Sequence, residues 1–144
     1  MGLFEARYIQ YQPQVADWKT AIQMAGQPLL DDGKIAQDYI DEILETCHDK
    51  GPYMNIGPDI VLAHARPLPS TKEASIAVLL AGTSVRLLDD AAHAARLWIF
   101  LATPDDTSHI ELIQQLATIL MNPQRLQGIL DAHSEEELQH RLCG

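Results

Sequence analysis

Basic residues are scarce. Ten Lys and Arg face 20 Asp and Glu in 144 residues, a formal charge of −10, and the ten form no run. Nucleic acid and anionic membrane surfaces are gripped by clustered Lys and Arg, so neither is expected as the main partner. Cysteine is nearly absent. Cys47 and Cys143 have no C-x-x-C spacing and make no disulfide framework, so both read as reduced thiols. Long hydrophobic runs are missing too. No stretch nears the ~18 apolar residues of a membrane-crossing helix. The first residues also lack the basic-then-apolar order of a signal peptide, so the expected location is cytoplasmic, without membrane insertion. With 47% apolar and 21% charged residues the composition is not that of a disordered chain. A single domain over residues 1–144 is expected, without internal repeats or low-complexity segments.

Glycine and proline are sparse, eight of each, yet Gly51 to Pro67 (G-P-Y-M-N-I-G-P-D-I-V-L-A-H-A-R-P) holds two glycines and three prolines. The apolar run Ile60-Val61-Leu62-Ala63 within it reads as a short buried strand. His64 then stands where that strand leaves the sheet, a place where α/β proteins carry reactive groups. His64 is the candidate phosphoryl acceptor.

Around this stretch, Tyr8 to Tyr11 alternates like a short strand. Asp17 is a candidate N-cap for a helix with Trp18, Ala21, Ile22 and Ala25 on one face. Gly26 and Pro28 should kink that helix or split it, because proline clashes with the carbonyl four residues back, that of Met24. Gly33 is the expected residue just past its end. A second helix is expected from about Gln37 to Lys50, with Tyr39, Ile40, Ile43, Leu44 and Cys47 inward. Ala74 to Leu80 and Leu97 to Ala102 are central-strand candidates, with Gly82-Thr83-Ser84 breaking the first and Val85 to Leu87 a short edge strand. Asp89 to Arg96 reads as a loop with one helical turn. Ser108 and Glu111 match the capping box of another helix, which puts His109 at its first position. Asn122-Pro123 and Ser134 with Glu137 open two further short helices. The whole predicts a three-layer α/β sandwich: a small mixed sheet flanked by helices on both faces.

A helix start offers unpaired N–H groups and a positive dipole end to an anion. If the strand ending at Ala63 and the helix near Ser108 open on one sheet edge, a phosphate site assembles. One imidazole would take the phosphoryl group, and the other histidine, the helix start with Ser108 and the turn amides would hold its oxygens. Imidazole suits a carrier because it is nucleophilic near neutral pH. Arg66 would add a forked donor. Each residue also has a plainer reading: a hydrogen-bonded loop histidine, an exposed first-turn histidine, a surface arginine. Composition and periodicity show no phosphotransfer. A metal protein built on His48, His64, His93 and His109 is a separate reading, although no H-x-x-x-H or C-x-x-C spacing supports it. His133 and His140 lie on polar segments and read as solvated.

The run G-P-Y-M … I-G-P-D-I-V-L-A-H-A-R-P resembles the active-site segment of enzyme IIA in the mannitol–fructose type of the bacterial sugar phosphotransferase system. Its H-A-R-P ending is most similar to the ascorbate-type branch. The resemblance runs from about Tyr8 to Leu142 and includes D-D-T-S-H-I-E-L-I-Q-Q-L-A. It implies that His64 accepts a phosphoryl group from phosphorylated HPr and passes it to the cysteine of a cognate enzyme IIB. That protein in turn loads the sugar handled by the membrane subunit. It also implies that His109 is the accessory histidine and that no cofactor takes part. Some relatives are regulatory IIA proteins instead. Two departures stand out. Ala63 replaces the family's usual proline before the acceptor, and His48 stands where mannitol-type members carry an arginine. Either His48 takes the phosphate-proximal role or Arg66 supplies the charge, and Arg66 is preferred.

Overall fold

A five-stranded mixed sheet carries the molecule, in the order β1-β4-β5-β3-β2. The computed structural model describes residues 3–143. The strands are β1 (Ile9–Gln12), β2 (Asn55–Gly57), β3 (Asp59–His64), β4 (Ser75–Arg86) and β5 (Ala94–Ala102). β1 runs parallel to β4 and β3 parallel to β5, while β4 and β5 are antiparallel, as are β2 and β3. The helices are α1 (Trp18–Asp31), α2 (Gln37–Lys50), α3 (Asp106–Leu120), α4 (Pro123–Leu130) and α5 (Glu135–Cys143).

Two hydrophobic clusters lie on opposite faces of the sheet, which explains the near-continuous apolar runs of β4 and β5. Ala77, Leu79, Trp98 and Phe100 join Ile22, Leu29, Tyr39 and Ile43 of α1 and α2. Their strand neighbours Val78, Leu80, Leu97 and Ile99 meet Leu116, Ile119, Ile129 and Leu138 of α3, α4 and α5. Successive strand side chains point to opposite faces, and here both faces are dry. The expected three-layer sandwich is the architecture found.

α1 differs from expectation. It is a single helix through Gly26 and Pro28. The Met24 carbonyl, which loses its helical donor to the proline, accepts the side-chain amide of Gln10 at 2.6 Å. Gly26 does not break the helix but lets it approach the sheet, since a Cβ there would lie 2.5 Å from a Phe100 ring carbon. The Asp17 cap forms, accepting the Thr20 N–H at 2.8 Å. Past the helix, Gly33 takes φ +72°, and the Gly33 and Lys34 amides bond the Leu30 and Leu29 carbonyls, which closes the last turn.

β4 is the second correction. It runs unbroken through Gly82-Thr83-Ser84, and its pairing with β5 shifts register between Leu80 and Val85. Val85 and Arg86 therefore continue a central strand and form no separate edge. Gly82 is needed because the Pro13 carbonyl oxygen would lie 2.5 Å from a Cβ there. Leu87 leaves the strand for a 3₁₀ turn.

Candidate functional site

Because β3 and β5 are parallel neighbours with His64 opposite Leu101, their C-terminal ends lie side by side. The chain leaving β5 turns directly into α3, so the end of β3 and the start of α3 share one edge of the sheet. The His64 and His109 rings consequently stand 5.5 Å apart, centroid to centroid, inclined at 40°. Both line a cleft of about 530 Å³, together with Glu42, Lys50, Tyr53, Arg66 and Asp106.

His64 is half-buried, and Nδ1 lies 2.8 Å from the Leu62 carbonyl oxygen. A carbonyl only accepts, so Nδ1 carries the proton and Nε2 of the neutral ring keeps its lone pair. Burial pushes the His64 pKa below its ordinary value; the Leu62 carbonyl opposes this and the nearby His109 adds to it. The ring is thus held neutral, oriented and nucleophilic at Nε2. The Tyr53 ring meets it edge-on at 6.0 Å.

The backbone after His64 is pinned by a residue that periodicity marks only as core. Tyr39 is fully buried on α2, and its hydroxyl lies 2.7 Å from the Leu101 carbonyl and 3.1 Å from the Ala65 amide. It donates to the first and accepts from the second. Burial raises its pKa to about 12, so the proton stays. A signal was available: a tyrosine on a buried face must find a partner for its O–H. Lys50 also lines the cleft, and the linear pattern marks it only as the end of a helix.

Several expected contributors sit elsewhere. Ser108 is not the N-cap of α3. Asp105 is, its carboxylate taking the Ser108 N–H at 2.7 Å. An ionised carboxylate complements the dipole better than a hydroxyl, and those bonds lower the Asp105 pKa. His109 is accordingly the fourth helical residue, its own N–H bonded to the Asp105 carbonyl. The free amide beside it that the first position implies is therefore missing. His109 reaches the cleft through its ring, whose Nδ1 is buried and has no partner among the described residues. His48 points away: it is exposed and packs edge-on against Trp18 at 5.4 Å. Arg66 is on the cleft, but its guanidinium lies 3.6 Å from Glu42. His93 is elsewhere, bonded to Asn55 at 2.8 Å. Among the described residues no group of three His, Cys, Asp or Glu side chains is placed to hold a metal.

Residues 2–143 match the family model described as phosphoenolpyruvate-dependent sugar phosphotransferase system, EIIA 2. The chain belongs to this family. As an EIIA component it is a phosphotransferase protein. It is 32% identical over 128 residues to the mannitol-specific cryptic phosphotransferase enzyme IIA component of Escherichia coli (strain K12), covering 85% of this chain and 82% of that one. It is 28% identical over 123 residues to the ascorbate-specific PTS system EIIA component of Mycoplasma pneumoniae, covering 85% and 77%. Among solved structures, the complex of enzyme IIAMTL and phosphorylated enzyme IIBMTL from Escherichia coli matches with a TM-score of 0.80. That match is 20% identical and covers 100% of this chain and 99% of the other. Relatives named for different sugars thus match this chain. No helix of the described residues is long and apolar enough to cross a membrane.

Proposed function

We propose that this EIIA component works in the cytoplasm as a phosphohistidine carrier, with His64 Nε2 as the atom that takes the phosphoryl group. The observation that carries this reading is the Leu62 carbonyl on Nδ1, which leaves Nε2 as the ring's lone pair beside His109. The donor is phosphorylated HPr. Its P–N bond breaks, the electron pair returning to its own imidazole, as the Nε2 lone pair forms the new P–N bond. In the second step the thiolate of a cognate enzyme IIB forms an S–P bond, and the pair of the breaking P–N bond returns to Nε2. Enzyme IIB then loads the sugar carried by the membrane subunit: a sugar hydroxyl oxygen forms the O–P bond and gives up its proton as the S–P bond breaks and the thiolate is released. Burial of His64 supports both steps, since a neutral ring attacks and an uncharged leaving ring reforms easily.

A carrier meets two proteins in turn, so its contact face should be modest and partly apolar. Tyr53 on the cleft and Ile110 next to His109 are exposed apolar side chains of that kind. The match to a IIA–IIB complex supports enzyme IIB as one partner. For the sugar, relatives named for mannitol and for ascorbate both match, and the H-A-R-P ending at Pro67 favours ascorbate.

Incubation with phosphorylated HPr, read by intact mass before and after mild acid, tests the proposal. One acid-labile phosphoryl group is expected on the wild-type chain and none on His64→Ala. Full labelling of His64→Ala would move the site to another residue.

A further inference from the structure

Two cations and three carboxylates face the cleft: Lys50 and Arg66 against Glu42, Asp49 and Asp106. A phosphoryl group arriving at His64 brings about −1.5 to −2 of charge into that already acidic space. Some cation must meet it there, and the two available differ in their commitments. Arg66 is engaged: its Nε lies 3.6 Å from a Glu42 carboxylate oxygen, and its side chain is 77% exposed. Lys50 is within ion-pair distance of no carboxylate among the described residues. It is the last residue of α2, and Gly51 with φ +82° turns the chain away immediately after it. Lys50 thus lines the cleft from the end of α2, with a flexible four-carbon stem to deliver its charge. Across the cleft the buried Nδ1 of His109 also has no partner among the described residues. Lys50, an unclaimed cation, and His109, whose ring keeps one nitrogen unpaired, therefore both line the space that the phosphoryl group enters.

We infer that Lys50, rather than Arg66, is the cation that binds the phosphoryl oxygens when His64 carries the group. This rests on His64 being the acceptor, and the test separates the two ideas. Arg66 stays with Glu42 and offsets that carboxylate, which leaves the Lys50 ammonium as the charge partner of the phosphoryl oxygens.

The first arm needs no phosphotransfer. Inorganic phosphate is titrated into the unphosphorylated protein while the His64 and His109 imidazole resonances are followed by NMR. Wild-type protein should show saturable shifts. Lys50→Met should weaken phosphate binding on the order of tenfold, the loss expected for one charge-assisted contact. Lys50→Arg should restore most of it, and Arg66→Met should change it less than about threefold by the same measure. The second arm measures the rate of phosphoryl acceptance from phosphorylated HPr, where Lys50→Met should be slowed by a similar factor. Thermal melting of each variant checks the fold, because a lysine serving only to cap α2 would move the melt and leave phosphate binding alone. Unchanged binding in Lys50→Met, a larger loss in Arg66→Met, or no shifts in the wild-type protein would each overturn the assignment. If phosphate binding follows Lys50 while His64→Ala still accepts the phosphoryl group, the acceptor reading fails and takes the phospho-His64 contact with it, leaving Lys50 only as a phosphate-binding residue of the cleft.

Discussion

The Tyr39 hydroxyl accepts the Ala65 N–H at 3.1 Å, in the peptide that directly follows His64. The same oxygen donates to Leu101, the residue paired with His64 across the sheet. One buried atom on α2 therefore ties β3, β5 and the His64 turn together, standing in for the rigidity that a proline at position 63 would provide. Tyr39→Phe keeps the packing and strands two buried backbone groups. It should cost about 1–3 kcal/mol in chemical denaturation. It should also slow phosphoryl acceptance more than a core change of equal cost far from the site, such as Ile129→Val with a second destabilising substitution. Equal slowing by both would reduce Tyr39 to a stability residue.

The pH response follows from the lowered His64 pKa, caused first by burial. The unfolded ring titrates at its ordinary 6.5, above the folded value, so between the two the unfolded chain binds more protons. His64 thus favours folding fully above pH 6.5, and this contribution is lost as pH falls through that window. Nε2 reactivity has the same sense. The NMR titration midpoint of His64 should lie below 6.5, and a midpoint above it would contradict the burial argument.

His109→Ala should still be labelled on His64, at a rate reduced about ten- to a hundredfold, as expected for one lost hydrogen-bond donor at a charged transition state. Rapid-quench kinetics with phosphorylated HPr would measure it. An unchanged rate would make the ring a packing element.

Asp106 faces the cleft at the start of α3. Asp106→Asn removes a repulsive charge and should shift the transfer equilibrium a few-fold toward phosphorylated His64, an effect that shrinks in high salt. If the equilibrium is the same at low and high salt in both proteins, the cleft carboxylates have no part in tuning it.

α1 offers a test of the fold alone. Gly26→Ala forces a methyl against Phe100 and should destabilise by about 1–3 kcal/mol despite alanine's better helix propensity. Gln10→Ala leaves the Met24 carbonyl without its donor, at about the same cost. Denaturant midpoints of both variants decide it.

Helix ends and strand positions were legible where one local device decides them. The Asp17 cap, the Gly33 turn, the Gln37–Lys50 helix and the Asn122-Pro123 start all stand where the linear pattern puts them. The pattern failed where a distant group intervened. Pro28 is tolerated because Gln10 reaches Met24 from β1. Gly82 is a site of close approach to Pro13 rather than a break. Asp105 displaced Ser108 because both satisfy the local rule and the charged group wins.

The amino-acid order alone set the layer architecture, through runs that must be apolar on both faces of a sheet, and singled out His64 at the end of one such run. Tertiary structure decided the company His64 keeps. Parallel pairing of β3 with β5 brought His109 within 5.5 Å, and α2 delivered Tyr39 and Lys50 while turning His48 toward Trp18. Periodicity assigns a residue to a face of its own element. Which cleft that face meets depends on strand order and helix placement, which involve residues tens of positions apart.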